Sequence, residues 1–162
     1  MRLFGRPTRT EVRVYFTGGS TAVLYGWREM TLDIDLKFEP DADELYRAIP
    51  LIKEQLQLNI ELVAPSDFIP ELPGWQDRCQ FITREGTVSF FHYDPYSQAL
   101  SKIERGHDQD VQDVASMLQD GLLNRQKLLA LFKQIEPYLY KYPALDPISF
   151  GQAVRRIVDS EK

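Results

Sequence analysis

Two aspartates, Asp33 and Asp35, stand one residue apart in the apolar run TLDIDLKF at residues 31–38. Aspartate is a poor strand residue, so folding alone gives little reason for this placement. If the run is a β-strand, both carboxylates project from one face about 7 Å apart. Like charges so placed repel unless a cation joins them, and carboxylate oxygens suit Mg²⁺. The pair therefore predicts a magnesium site that substrate phosphates complete.

Two other Asp-x-Asp pairs have ordinary structural explanations. Asp41 and Asp43 stand in a turn-rich segment before a predicted helix. Asp108 and Asp110 stand near a second helix start, where negative charge offsets the helix dipole. Only the pair in the strand pattern therefore indicates a metal site.

A third carboxylate is predicted on the next strand. In the run LNIELV, Leu58, Ile60 and Leu62 share one face, and Glu61 falls on the other. Glu61 would stand beside the aspartate pair, where it either ligates a second metal ion or accepts the proton of an attacking hydroxyl. A solvated glutamate at the edge of the sheet is the alternative.

The segment Gly18-Gly19-Ser20 lies where a predicted strand turns into a short predicted helix. Unpaired amide groups at such a turn favour phosphate, and glycine lets the phosphate approach the backbone closely. The Ser20 hydroxyl is a further donor to a phosphate oxygen. The turn is therefore predicted to bind a phosphate group, with structural turn glycines as the alternative.

The elements that position these residues form a predicted mixed sheet in an α/β (α+β) fold. Alternation and turn signals predict a helix over residues 45–56, with Pro50 as a kink or break, and a hairpin that extends the sheet antiparallel. The predicted strands cover residues 12–16, 31–38, 58–63, 79–83 and 87–93.

From residue 94 onward the pattern becomes helical. Asp108, Asn124 and Asp146 are typical of helix starts, and Gly106 and Gly121 of helix ends. The predicted organisation is an α/β core over residues 1–93 and a helical C-terminal part over residues 94–162, packed on the same core.

Composition narrows the class of protein. The chain has 162 residues, one cysteine and a net charge of −5, which argues against sequence-independent coating of nucleic acid. No apolar run approaches the roughly 20 residues of a membrane span, and the arginine-rich start lacks a secretory h-region. The expected location is the cytoplasm, with no membrane partner.

The Gly-Gly-Ser turn followed by DID on the next strand resembles the nucleotidyltransferase superfamily typified by polymerase beta. The segments LVAPSDFIPELPGW and ALSKIERGHDQDVQDV look like its short prokaryotic branch, which is related to AbiEii-type and MenA-type toxin nucleotidyltransferases. The resemblance spans most of residues 14–125. It implies a small mixed sheet of the nucleotidyltransferase type with flanking helices.

The resemblance also implies roles for individual residues. Asp33 and Asp35 would hold the metals, and Glu61 would take the third acidic position, which is aspartate in many members. Lys102 would reach toward phosphates. The predicted catalytic residues are Asp33, Asp35, Glu61 and Lys102, and the predicted nucleotide-binding residues are Gly18, Gly19, Ser20 and Lys102.

The predicted function is Mg²⁺-dependent transfer of a nucleoside monophosphate from a nucleoside triphosphate to a hydroxyl, with one or two Mg²⁺ ions. The resemblance implies an acceptor such as tRNA, at an RNA 3′ end, or a protein, and a cognate antitoxin or toxin partner. An inert binding or antitoxin-like protein of the same fold is the alternative. A metal-dependent glycosyltransferase that uses an Asp-x-Asp pair is a second alternative function, although the chain is short for a nucleotide-sugar domain.

Overall fold

The computed structural model describes residues 1–5 and 8–160. Residues 6 and 7 of the predicted α/β core and residues 161 and 162 of the predicted helical part lie outside the described residues. The chain forms two compact units. The sheet unit comprises Met1–Ala64 and Cys79–Tyr93, and the helical unit comprises Pro65–Arg78 and Asp94–Lys162. The chain passes to the helical unit after Tyr93, where the sequence pattern becomes helical.

The sheet unit is built on a five-stranded mixed sheet, which confirms the predicted fold class. The strands are β1 (Val12–Thr17), β2 (Asp33–Glu39), β3 (Asn59–Glu61), β4 (Gln80–Glu85) and β5 (Val88–His92). Their order in the sheet is β3-β2-β1-β5-β4. The first strand pairs antiparallel with β2 and parallel with β5, while β2 and β3 are parallel.

The predicted hairpin forms, with β4 antiparallel to β5, but it joins the sheet differently from the prediction. It attaches through β5, which runs parallel to β1 with Val14 opposite Phe90. A parallel neighbour requires a crossover, and the chain between β3 and β4 provides it with more than a dozen residues. Strand alternation carries no information about this long-range choice.

The sheet unit has three helices among its described residues: α1 (Arg2–Gly5), α2 (Gly18–Leu24) and α3 (Asp43–Leu56). Pro50 was predicted to kink or break the third helix, and the break is wrong, because the helix continues to Leu56. Leu45 and Ile52 of this helix are buried in the core, and such packing offsets the hydrogen bond that proline removes.

The apolar core lies on the sheet face that carries Phe16, Leu36 and Phe90, each at most 6 % exposed. Two leucines predicted on the apolar strand faces are instead exposed: Leu32 (63 %) precedes β2, and Leu62 (45 %) follows β3. The second strand therefore begins later than predicted, at Asp33, and the third strand ends earlier than predicted, at Glu61.

The helical unit has five α-helices and two 3-10 helices in its described residues. Asn124 accepts from the Lys127 amide at 2.9 Å, and Asp146 accepts from the Ile148 amide at 3.0 Å, as the predicted helix starts require. Gly106 ends a helix with φ +69°. The helices are α4 (Trp75–Arg78), α5 (Pro95–Arg105), α6 (Asp108–Gln119), α7 (Arg125–Ile135) and α8 (Pro147–Asp159), with 3-10 turns at Pro65–Asp67 and Glu136–Lys141.

Helix length and composition also bear on membrane insertion. None of the helices within residues 1–5 and 8–160 is long and apolar enough to cross a bilayer.

The stability of the sheet unit should depend on His92, whose ring stacks on Tyr25 with centroids 4.2 Å apart. Burial lowers the pKa of His92 to about 4. The unfolded chain takes up this proton near pH 6.5, so the contribution of His92 is fully present above pH 6.5 and falls as pH drops toward 4. His92→Phe should therefore have a flatter stability curve between pH 6.5 and 4. Urea unfolding of both proteins across this range measures the free energy of unfolding against pH. Curves of wild type and His92→Phe that run parallel would contradict the predicted effect of His92.

Candidate functional site

The three predicted carboxylates lie on one face of the sheet. Asp33 is opposite Asn59 and Asp35 is opposite Glu61 in the parallel pairing of β2 with β3. Residues two apart on a strand share a face, so these four side chains form a polar row on the face away from Phe16 and Leu36. Thr17, the last residue of β1, is the partner of Asp35 on the other side.

Asn59 is a member of this row that was not predicted. Its side-chain amide donates to Asp33 Oδ1 at 3.1 Å and to Glu61 Oε1 at 2.7 Å. The sequence did contain a signal for it, because the alternation that separates Glu61 from Ile60 places Asn59 on the polar face too. The polar row is therefore hydrogen-bonded, and a neutral donor stands between two of its anions.

Gly18 is required at the strand-helix turn for two reasons. Its φ is +62°, which favours glycine. A Cβ atom added there would meet Asp35 Oδ2, so any other residue would require the carboxylate to turn away. The turn after β1 thus lies directly against the second aspartate of the pair.

Gly19 brings a second group to the turn. A Cβ atom added at Gly19 would stand 2.9 Å from Thr31 Oγ1 and 3.1 Å from a guanidinium nitrogen of Arg28. The Thr31 hydroxyl donates to the Asp33 carbonyl at 2.9 Å, which ties this loop to the start of β2. The cation of Arg28 therefore lies beside the turn predicted to bind phosphate. Sequence reasoning missed it, because a loop arginine has no periodic signal.

Ser20 is buried, and its hydroxyl donates to the Thr17 carbonyl at 2.7 Å. The Thr21 hydroxyl likewise donates to the Phe16 carbonyl at 3.1 Å. These bonds fasten α2 to the end of β1. A hydroxyl has one hydrogen to donate, so donation from Ser20 to phosphate requires its bond to Thr17 to open. The phosphate role of Ser20 stays a prediction.

Lys102 belongs to the helical unit, where it is buried rather than solvated. Its ammonium lies 2.6 Å from Asp113 Oδ2 and 3.6 Å from Asp110 Oδ1, and both carboxylates are buried. Arg105 donates two bonds to Asp110. Burial by itself raises the pKa of Asp110, but the Arg105 and Lys102 cations bring it below the ordinary value. The predicted contact of Lys102 with phosphate stays a prediction.

The fit of Mg²⁺ depends on how many ligands the protein itself must supply. Within the part of the chain that the structure describes, no group of three or more His, Cys, Asp or Glu side chains is placed to hold a metal. The described side chains of this face therefore do not form a complete coordination shell for a metal ion. Mg²⁺ is usually held by one or two carboxylates, with water and substrate phosphates as the other ligands. The oxygen-only pair Asp33 and Asp35 fits that type of site.

A comparison with known protein families identifies the family of this chain. Residues 2–146 match a family described as nucleotidyltransferase of unknown function (DUF6036). The chain belongs to this family, which supports nucleotidyl transfer as its general activity. No curated protein and no solved structure matches the chain.

The contact between Gly18 and Asp35 should make Gly18 more sensitive to substitution than Gly26. Both glycines have positive φ, +62° and +82°, so Gly18→Ala and Gly26→Ala share a backbone strain of about 1 kcal/mol. Nothing lies within 4 Å of a Cβ atom at Gly26, whereas at Gly18 it meets the carboxylate. Gly18→Ala should lose more free energy of unfolding in urea than Gly26→Ala, but less than the about 1–3 kcal/mol of overpacking in a fixed core, because the carboxylate can turn. Equal losses would contradict the contact.

Two separate effects are expected for Lys102→Ala, with Lys53→Ala on α3 as the control. Removing the buried ammonium takes one ion-pair partner from each of the buried carboxylates of Asp110 and Asp113. This loss should cost about 3 kcal/mol of unfolding free energy. A phosphate role predicts in addition a loss of about 10²-fold in turnover at a temperature where the variant is folded. Stability equal to that of Lys53→Ala would contradict the ion-pair analysis, and unchanged turnover would contradict the phosphate role.

Proposed function

We propose that the protein is a Mg²⁺-dependent nucleotidyltransferase that transfers a nucleoside monophosphate from a nucleoside triphosphate to a hydroxyl. The observation that carries the proposal is the contact of the Gly18 turn with the Asp35 carboxylate, beside Asp33 on the same face, in a chain of a nucleotidyltransferase family. This contact would bring the phosphate-binding backbone and the metal-binding oxygens to one place.

In the proposed reaction the acceptor oxygen forms a bond to the α-phosphorus, and the bond from that phosphorus to the β-phosphate oxygen breaks. Pyrophosphate leaves with the electron pair of the broken bond. Glu61, at the end of β3, would accept the hydroxyl proton. Asp33 and Asp35 would hold one or two Mg²⁺ ions, which when bound orient the reactants and stabilise negative charge on the phosphates.

The glycine turn would hold the triphosphate. Backbone amides of Gly18 and Gly19 are the proposed donors, and Arg28 adds a cation beside them. Ser20 would join them once its hydroxyl leaves the Thr17 carbonyl. Lys102 is proposed as a further phosphate contact on the family resemblance alone.

The finer features of the function also rest on the resemblance. They are a tRNA or other RNA 3′ end, or a protein, as the acceptor, and a cognate antitoxin or toxin as the partner. A cytoplasmic location accords with these acceptors. An inert nucleotide-binding protein of the same fold, with an antitoxin-like regulatory role, is the alternative that the following experiment separates.

The experiment uses the purified protein with each α-labelled nucleoside triphosphate and Mg²⁺, and separately with total RNA and total protein. Label should move to one acceptor class with release of pyrophosphate. Asp33→Asn and Asp35→Asn should abolish transfer, because each removes a proposed metal ligand. They should leave stability unchanged or raise it by about 1 kcal/mol, since repulsion between the two carboxylates is relieved.

Asp43→Asn is the matched control, because Asp43 is an exposed aspartate of a second Asp-x-Asp pair outside the polar row. This variant should transfer label at the wild-type rate. Full activity of either polar-row variant would sink the metal assignment. Triphosphate binding without transfer to any acceptor would favour the inert alternative.

A further inference from the structure

The side chain of Asn59 bridges two of the three carboxylates in the polar row. Its amide nitrogen lies 3.1 Å from Asp33 Oδ1 on the neighbouring strand and 2.7 Å from Glu61 Oε1 on its own strand. Both distances are normal for an amide donor and a carboxylate acceptor. The bridge thus links β2 to β3 through side chains as well as through the backbone.

The geometry uses the whole donor capacity of the amide. A side-chain NH₂ group has two hydrogens, so one is directed to each carboxylate. The two acceptor oxygens are consequently held close, at most about 6 Å apart, the combined length of the two bonds. Without a donor between them, two anions at this separation would turn away from each other.

The residue type matters as much as the position. A lysine or arginine at residue 59 would also hold the carboxylates, but its positive charge would cancel theirs and repel a metal cation. An aspartate would add a third repelling anion to Asp33 and Glu61. Asparagine orients both anions through its dipole and leaves their negative charge for a cation.

We propose that Asn59 is a positioning residue that holds Asp33, a proposed metal ligand, beside Glu61, the proposed proton acceptor, before the metal arrives. The proposal rests on the proposed function in one respect, the roles of these two carboxylates. Each hydrogen bond from the Asn59 amide occupies one oxygen of the accepting carboxylate, Oδ1 of Asp33 and Oε1 of Glu61. Ligands that are already ordered bind a cation more tightly, because less side-chain freedom is lost on binding.

The test measures Mn²⁺ binding to the full chain without nucleotide, from the free Mn²⁺ signal in electron paramagnetic resonance. Mn²⁺ takes the oxygen ligands that Mg²⁺ takes. Asn59→Leu keeps the approximate size of the side chain but removes the donor, and Asn59→Ala removes the side chain. Both should raise the Kd for Mn²⁺ about tenfold, the scale seen when a partner of a metal ligand is removed.

Gln55→Ala is the control, because Gln55 is an exposed amide side chain on α3 outside the polar row. It should bind Mn²⁺ as wild type does. A tenfold change in both Asn59 variants with unchanged melting temperatures supports positioning. A Kd equal to that of the control overturns it.

A measurement on the wild-type protein covers the case in which the Asn59 variants do not fold. The side-chain NH₂ resonances of Asn59, assigned through bonds in labelled protein, should shift when Mg²⁺ is added, because its acceptor Asp33 becomes a metal ligand. Resonances that do not move at saturating Mg²⁺ overturn the proposal.

The outcomes separate this proposal from the proposed function. If wild type binds Mn²⁺ but transfers no label, nucleotidyl transfer fails while the Asn59 proposal is still decided by the Kd values. If wild type binds no Mn²⁺, the positioning role is overturned, and label transfer in the presence of a chelator then shows whether transfer proceeds without metal.

Discussion

The register between β2 and β3 is the constraint on which the candidate site depends. It sets Asp33 opposite Asn59 and Asp35 opposite Glu61. A slip of one residue would turn the carboxylates of one strand onto the apolar face, where charges without partners are very costly. The buried side chains of Leu36 and the other core residues on the opposite face therefore determine where the acidic groups stand. The same hydrophobic pattern that folds the sheet assembles the polar row.

The turn after β1 adds the second constraint. Gly18 leaves space for the Asp35 carboxylate, and the Ser20 and Thr21 hydroxyls hold the following helix to the strand end. The site is thus built on paired strands and a fastened turn rather than on a long loop. Such support keeps functional groups in fixed positions, which both binding and catalysis require. In the helical unit, burial of Lys102 with two aspartates costs solvation, which the ion pairs between them offset.

Local patterns predicted much of this arrangement. Alternation located the strands and the shared face of the aspartate pair, and capping residues such as Asn124 located the helix starts. The prediction failed where distant segments decide the outcome. Strand alternation does not specify that β5 runs parallel to β1, or that Arg28 returns to Gly19. The place of Asn59 on the polar face was accessible from the pattern, but its two hydrogen bonds depend on the register between strands.

The most direct test of the central claim is a crystal structure of the protein grown with Mn²⁺ and a non-hydrolysable nucleoside triphosphate analogue. Anomalous scattering locates the metal independently of any interpretation of the protein. The proposed function predicts an anomalous peak bonded to oxygens of Asp33 and Asp35, with the triphosphate against the Gly18-Gly19 backbone. Ordered nucleotide and metal at another place, with the polar row free of both, would contradict it.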